Sequence, residues 1–472
     1  MKIYKKINKI IADSLRVGDV IRRKMKRLIA LLILIALLAT MIVGCRGDNG
    51  DDPSTENGGE GTENENNNNG ENNTQEQEKE EPELVLVDFI NDDLSLYIEI
   101  DERYYKELTL TLDPDRLNPV LVENKIIQLL CKNKSKEAVD GDGVISVGDV
   151  VDIYYKGYYL DGKNSKVYFN GGSNMGGNAY SLEIGSGGFI PGFEYNMIGK
   201  AVSDYSIDNP MVIETYFPKA YQSQELAGKT AYFEVYVPLE GESYRIKEYD
   251  APEFNDEFIT GTLGIAAGDL ESYEGDTLAD RYRASLREQL IVENGLDKET
   301  MAEELFWSSV LEGAVIKEYP AGNIKSFCDE FKEELTAYYN SNPYYAIYYP
   351  TLDIFACAYF GLEEGSDWQA QVRTVAENTI KEQLIFYYIA TKEGFIPTEE
   401  EYRAEFDRYL IDTLAANGIK RENFDTEEKY LEAIESYRQQ LIKNNGEEAI
   451  REMINYNLTI KSILALITVI EG

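Results

Sequence analysis

The chain has 472 residues, enough for two to four domains, and carries 85 acidic against 46 basic side chains, a net charge of −39 with no histidine. An acidic surface of this kind repels polyanions and makes nucleic acid a poor partner. Lack of histidine removes the usual general base, the usual zinc ligand and every Ser-His or Cys-His nucleophile pair, so any catalysis must use carboxylates, Tyr, Lys, Cys or no proton transfer at all.

The first 83 residues read as address and tether. Lys24, Lys26 and Arg27 precede an apolar run over residues 28–43. That run is short for a membrane span of about 20 residues but suits a signal-peptide core. The ending Ile42-Val43-Gly44-Cys45 resembles a bacterial lipoprotein signal. The resemblance implies cleavage after residue 44, a lipid on Cys45, and a protein anchored to the bacterial cell membrane on its extracytoplasmic side. Residues 1–24 look superfluous to such a signal, which makes Met25 a candidate start; an uncleaved anchor with an ordinary cysteine is the alternative. Either way the charge order puts the remainder outside the cytoplasm. Residues 45–83, rich in Asn, Glu and Gly, hold almost nothing apolar and read as a disordered acidic spacer. The other cysteines, Cys131, Cys328 and Cys357, are too scattered for a disulfide framework.

From residue 84 apolar residues return. "LSLYIEI" (94–100) and "ELTLTL" (107–112) alternate like strands, and "PVLVENKIIQLL" (119–130) has helical spacing at Val122, Ile126 and Leu130. Residues 84–140 thus read as a small connector. Strand-like runs follow at 150–159, 179–184, 211–217 and 231–239, with turns expected at Asp161-Gly162 and Gly171-Gly172 and a short helix at most in "FEYNMIGK". The implied architecture is a small antiparallel sheet around one short helix.

Two motifs in this region fail as ligand loops. "GKT" at 228–230 lacks the first glycine of a phosphate loop, since Ser223 stands there. "DGDG" at 140–143 carries Val144 and Ile145 where a calcium loop needs a ligand and a glycine. The stretch "GSGGFIPGF" (185–193) is glycine-rich, but Ile190 breaks the dinucleotide-binding spacing and Lys200 is the nearest basic residue after it.

Four stretches in order, "VGDVVDIYYKGYYLDG", "FNGG", "LEIGSGGFIPGFE" and "FPKAYQSQELAGKTAYFEVYV", resemble an FKBP domain, most closely the version inserted in bacterial trigger factor. The resemblance covers residues 141–245 and implies a peptidyl-prolyl cis-trans isomerase that needs no metal or cofactor. It implies a pocket with Tyr155 and Phe169 on one wall and Tyr180 and Leu182 at the strand positions. Phe189 and Ile190 form the lip, with the Ile190 N–H aimed at a substrate carbonyl. Phe193 is the floor, Tyr221 the cap and Phe233 the back. Asn170 stands where many relatives have an acid, Leu182 replaces an aromatic residue, and the Tyr221 segment is offset; these departures leave a weakly active domain open.

Residues 246–472 read as helical. Ile380, Leu384, Tyr387 and Tyr388 share a face that Gly394 and Pro397 terminate, and Thr398 with Glu401 forms a capping box. Tyr402, Phe406, Tyr409, Leu410 and Leu414 continue the pattern; Asp425 and Glu428 open a further helix, and a last one runs to Ile470. "PEFNDEFI" and "YYIATKEGFIPTEEEYRAEF" resemble the exit segment and the helix-turn-helix of trigger factor's C-terminal chaperone domain. The fold class expected is therefore α+β: an FKBP-like sheet followed by an all-α, trigger factor-like or SurA-like chaperone arm. The aromatic run at 338–360 is either an exposed cradle for unfolded chains or a packed hairpin, with Cys328 and Cys357 as small core residues.

A ribosome-binding loop of the trigger factor kind has no counterpart here, which argues against ribosome docking. The partners implied are unfolded or nascent exported polypeptides with X-Pro bonds, and the membrane through lipidated Cys45. The function expected is isomerase and folding chaperone for exported proteins. The alternatives are a non-catalytic holding chaperone or peptide-binding lipoprotein on an FKBP scaffold, and an adhesion or assembly lipoprotein.

Overall fold

A computed structural model describes residues 84–218, 221–241 and 243–472. The expected signal peptide, Cys45 and the acidic spacer lie outside the described residues. Described residues 84–108 and 305–468 form one compact unit, and 109–304 with 469–472 form another. No helix among the described residues is long and apolar enough to cross a membrane.

In the second unit, alternation of apolar side chains builds an antiparallel sheet from β1 (Val150–Leu160), β2 (Lys166–Ser173), β3 (Tyr180–Glu183), β4 (Met211–Tyr216) and β5 (Thr230–Tyr236). β5 lies between β1 and β4, and β1 also pairs with β2, β3 and the short strand Ile246–Lys247. Val151, Ile153, Met211, Ile213, Ala231, Phe233 and Val235 point to one side and form the core with Leu182, Ile184, Phe193 and Met197. Each of these side chains larger than Ala231 contributes about 1.5–3 kcal/mol on burial. The short helix is a single 3-10 turn, Tyr195–Met197. One expectation needs correcting: Gly171 and Gly172 continue β2 rather than turn the chain, with Gly171 at φ 76° beside an irregularity in the β1–β2 pairing.

Helix α1 (Val120–Lys132) buries Val122, Ile126 and Leu130 against Phe258, Ile259 and helix α2 (Leu278–Glu293), forming a second core in this unit. Arg283 of α2 pairs with Glu123 of α1 at 3.1 Å.

In the first unit, "LSLYIEI" is strand only at Ile98–Ile100, which pairs with Ala314–Ile316. Leu94–Leu96 is a 3-10 turn because the Asp93 carboxylate accepts the Ser95 N–H. After residue 320 its helices of eight residues or more are α3 (Ala321–Ser341), α4 (Leu352–Tyr359), α5 (Trp368–Glu393), α6 (Glu399–Ala416), α7 (Glu427–Asn445) and α8 (Glu447–Leu464). Gly394 ends α5 in the left-handed conformation, and Thr398 and Glu401 cap α6 reciprocally, as their sequence signals imply. Tyr402, Phe406, Leu410 and Leu414 of α6 pack with residues of α7 and α8 into one core.

Three details of this arm differ from the sequence reading. On α5, Tyr387 and Tyr388 are only half-buried, and Ile385, Phe386 and Ile389 join Ile380 and Leu384 inside. The cap of α7 is Thr426, while Asp425 pairs with Lys429 at 3.1 Å. The final helix stops at Leu464, and the extended Thr468–Glu471 pairs with Thr109–Leu112. The α+β class holds, with the C-terminal part predominantly helical.

The aromatic run at 338–360 divides. Tyr339, Tyr345, Tyr349 and Tyr359 surround Phe355 at centroid distances of 5.0–6.2 Å. Tyr344, Ile347 and Tyr348 instead remain 67%, 69% and 74% exposed. Cys357 is buried and Cys328 partly so, both as free thiols.

Candidate functional site

The stretch 185–193 leaves β3 and returns toward the sheet over α1. Gly185, at φ 97°, lies so close to α1 that a Cβ there would sit 2.6 Å from Cys131 Cβ and from the Ile127 carbonyl oxygen. Asn124 of α1 accepts the Gly192 N–H at 3.3 Å. The element expected to be a mere connector is thus the backing of this loop.

At the centre of the loop is a buried carboxylate. Glu194 is 3% exposed. Its Oε2 accepts the N–H groups of Gly185 and Gly187 at 2.7 and 3.1 Å, and its Oε1 accepts the Phe189 N–H at 3.2 Å and the Ser186 hydroxyl at 3.4 Å. Successive backbone N–H groups of this kind make an anion cradle. Here the anion is the protein's own, which is why the glycine-rich loop offers nothing to a phosphate. A lone acid directly after an apolar turn was the available sequence signal for this role, which the sequence reading did not assign.

The aromatic side chains then follow one another in contact. Phe193 is fully buried, and the Phe189 ring lies face to face with it at 4.1 Å. Tyr155 of β1 meets Phe189 edge-on at 5.2 Å and approaches Phe193 and Phe233. Phe233 of β5 meets Phe193 edge-on at 5.0 Å, and Phe169 of β2 meets Phe233 at 5.7 Å. Such pairs contribute about 0.5–1.5 kcal/mol beyond the area they bury. Space for Phe169 comes from Gly157 and Gly172, where a Cβ would fall 2.4 and 2.2 Å from its ring. The glycine pair that reads as a turn in sequence serves this close approach instead.

Of the residues implied by resemblance, the structure brings together Tyr155, Phe169, Phe189, Phe193 and Phe233, with Tyr180 edge-on to Phe189 at 5.5 Å on the exposed rim. Ile190 packs against the same core, and its N–H has no partner among the described residues. Tyr221 joins only through Phe217, 4.6 Å away, which in turn touches Phe169 at 5.3 Å. Phe217, next to Pro218, was not singled out in sequence. Leu182 is fully buried in the core behind the rings, and Asn170 is exposed. Burial, and then the neighbouring Tyr180 phenol, push the Tyr155 hydroxyl above the ordinary tyrosine range, so it stays protonated at neutral pH. The arrangement offers an apolar, aromatic surface with the Ile190 N–H at its edge, unpaired among the described residues.

Residues 141–237 match the family model described as FKBP-type peptidyl-prolyl cis-trans isomerase. The chain is 30% identical over 311 residues to trigger factor of Clostridium beijerinckii, covering 66% of this chain and 64% of that one. It is 27% identical over 323 residues to trigger factor of Ligilactobacillus salivarius, covering 67% and 65%. It is 32% identical over 266 residues to trigger factor of a Geobacter species, covering 55% and 50%. The chain therefore spans just under two thirds of the length of the first of these relatives. A solved chain described as "Promiscuous Substrate Recognition in Folding and Assembly Activities of the Trigger Factor Chaperone" aligns with a TM-score of 0.32 at 16% identity, covering 78% of this chain and 72% of that one.

Proposed function

We propose that this protein is an FKBP-type peptidyl-prolyl cis-trans isomerase that also holds unfolded polypeptides, and that it works on exported proteins from a lipid anchor at Cys45 on the outer face of the bacterial cell membrane. The observation that carries the reading is the contiguous ring cluster of Tyr155, Phe169, Phe189, Phe193 and Phe233 beside the unpaired Ile190 N–H, on a segment matched by the isomerase family model. Rotation about a peptide bond meets a barrier of about 18–20 kcal/mol because the amide loses its resonance. The twisted amide is less polar than the planar one, so an apolar surface favours it. The Ile190 N–H would hold a substrate carbonyl while the bond turns. Lowering the barrier by about 4–8 kcal/mol gives roughly a thousand- to million-fold acceleration. Isomerisation of a proline peptide by the full chain tests the reading: Phe193→Ala should lower kcat/KM strongly, and an unchanged rate would overturn the pocket assignment.

The holding activity is supported by the exposed Tyr344, Ile347 and Tyr348, three large apolar side chains of which the two tyrosines end in a polar tip. Replacing all three by serine should weaken suppression of client aggregation without changing helix content. The membrane address is supported by the order of basic residues, apolar run and Cys45 in the sequence. Release of the Cys45→Ala protein from membranes, with loss of a lipid-modified N-terminal peptide in mass spectra, tests it.

A second reading, a non-catalytic holding protein, is favoured by one observation: the face of Phe193 is covered by Phe189. Binding of a proline peptide without acceleration of its isomerisation would select that reading.

A further inference from the structure

β4 is an end strand of its sheet: β5 pairs with one edge, and no strand covers the other among the described residues. The Phe217 N–H donates to the Lys229 carbonyl at 2.9 Å, and bonded positions alternate along an antiparallel pair. Met211, Ile213 and Thr215 therefore turn their backbone groups toward β5, and Val212, Glu214 and Tyr216 turn theirs outward. On that outward row the Asn196 side-chain amide donates to the Glu214 carbonyl at 2.8 Å. The Glu214 N–H and both backbone groups of Val212 and Tyr216 have no partner among the described residues.

Beside this edge lies a cavity of about 510 Å³ whose lining includes Val120, Gly192, Asn196, Val212 and Tyr216. Val212 is 54% exposed, and the Tyr216 hydroxyl is buried without a hydrogen-bond partner among the described residues. The cavity is continuous with the aromatic site's loop. Gly192 belongs to both, and the Thr215 hydroxyl donates to the Pro191 carbonyl, one residue further back.

We propose that the outer edge of β4 takes up an extended segment of an unfolded polypeptide as an added strand, with alternate side chains of that segment entering the adjacent cavity. Unpaired N–H and C=O groups repeating every second residue are matched by another extended backbone. A second copy of this chain fits poorly. The antiparallel register that uses all three outward residues sets Glu214 opposite Glu214, and like charges directly opposite are destabilising. An unfolded chain carries no fixed charge at that point. Main-chain bonding accepts almost any sequence, which suits a holding surface next to a site that selects proline. The inference rests on the reading of the protein as a holder of unfolded chains.

The test is hydrogen exchange in the full chain with a blocked, proline-free peptide of alternating valine and threonine, about seven residues long. Amides in 211–217 should slow by roughly tenfold. Peptides N-methylated on every second residue should bind in one phase and fail in the other, because only one set of peptide N–H groups faces β4. Asn196→Ala, which frees the Glu214 carbonyl, should strengthen binding, and Val212→Lys should weaken it. Absence of slowing, equal behaviour of the two methylated peptides, protection centred on 185–193, or a dimer abolished by Val212→Lys would each overturn the proposal. The holding reading is tested by aggregation suppression at Tyr344, Ile347 and Tyr348, outside 211–217, so its failure and the failure of this proposal are read from different residues and different assays. The probe holds no proline, so neither result depends on isomerase activity.

Discussion

Glu194→Gln is the sharpest perturbation of the aromatic site, because it changes charge without changing shape. The carboxylate serves three backbone N–H groups, two through Oε2 and one through Oε1, in a position 3% exposed to solvent. Glutamine has one acceptor oxygen, and its NH₂ group must face the N–H groups that the other oxygen served. If the amide oxygen keeps Gly185 and Gly187, the NH₂ meets the Phe189 N–H; the flipped amide orphans two donors instead. Leaving a buried donor unsatisfied costs about 1–3 kcal/mol, and hydrogen bonds to a charged group contribute about 1.5–3 kcal/mol each. The loop should therefore lose about 2–4 kcal/mol of local stability. Since Phe189 and Ile190 ride on that loop, the loss should surface as faster exchange of the amides in 185–193 and a raised KM for a proline peptide. Exchange within α5, in the other compact unit, should be unaltered. Glu194→Ala should be worse, because it also opens a cavity. If Glu194→Gln changes neither loop exchange nor KM by more than about twofold, below 0.5 kcal/mol, the cradle does not hold the site and the reasoning is refuted.

Phe189 stacks on Phe193; under the proposed reading, in which a prolyl ring sits on that face, Phe189→Ala should lower KM by about two- to tenfold, the worth of one stacked pair. Abolished binding would show instead that the Phe189 ring is a wall the substrate needs. Gly157→Ala puts a Cβ 2.4 Å from the Phe169 ring and 2.7 Å from the Phe233 ring. The displaced rings should cost about 1–3 kcal/mol, read as an earlier unfolding transition of this unit and a loss of near-ultraviolet dichroism. Because the folded state holds the Tyr155 proton more tightly than the unfolded chain does, the favourable contribution of its protonated form is fully present below the ordinary tyrosine range near pH 10 and declines as pH rises beyond it. Isomerase rate should accordingly be flat from about pH 6 to 9; a bell-shaped profile centred in that window would point to an acid–base group and against an unassisted twist of the amide.

The sheet was legible because two-residue alternation survives in β1, β4 and β5, and the ends of α5 and α6 were legible because Gly394 and the Thr398–Glu401 box are local devices. The aromatic residues of the site could be listed, since their resemblance to a known motif lies in linear order. Where the reading went wrong, a local rule met a distant partner. Gly171 and Gly172 read as a turn because a glycine pair usually is one, yet Gly172 stays in a strand to admit the Phe169 ring. The apolar "LALITVI" at the C-terminal end reads as helix continued, but its last residues are extended because Thr109–Leu112 offers a strand to pair with.

Composition and order by themselves determined the absence of histidine chemistry, the acidic surface, the class of the fold and the set of rings, because each depends on residue identity or on short-range periodicity. Convergence was decided only in three dimensions. The three N–H groups that meet on Glu194, the stacking of Phe189 over Phe193, and the bare outer edge of β4 depend on how the loop is pressed between α1 and the sheet. A hydrogen bond or ring contact is set by distances of a few ångströms between atoms, and linear spacing carries no record of those distances once the chain has turned back on itself.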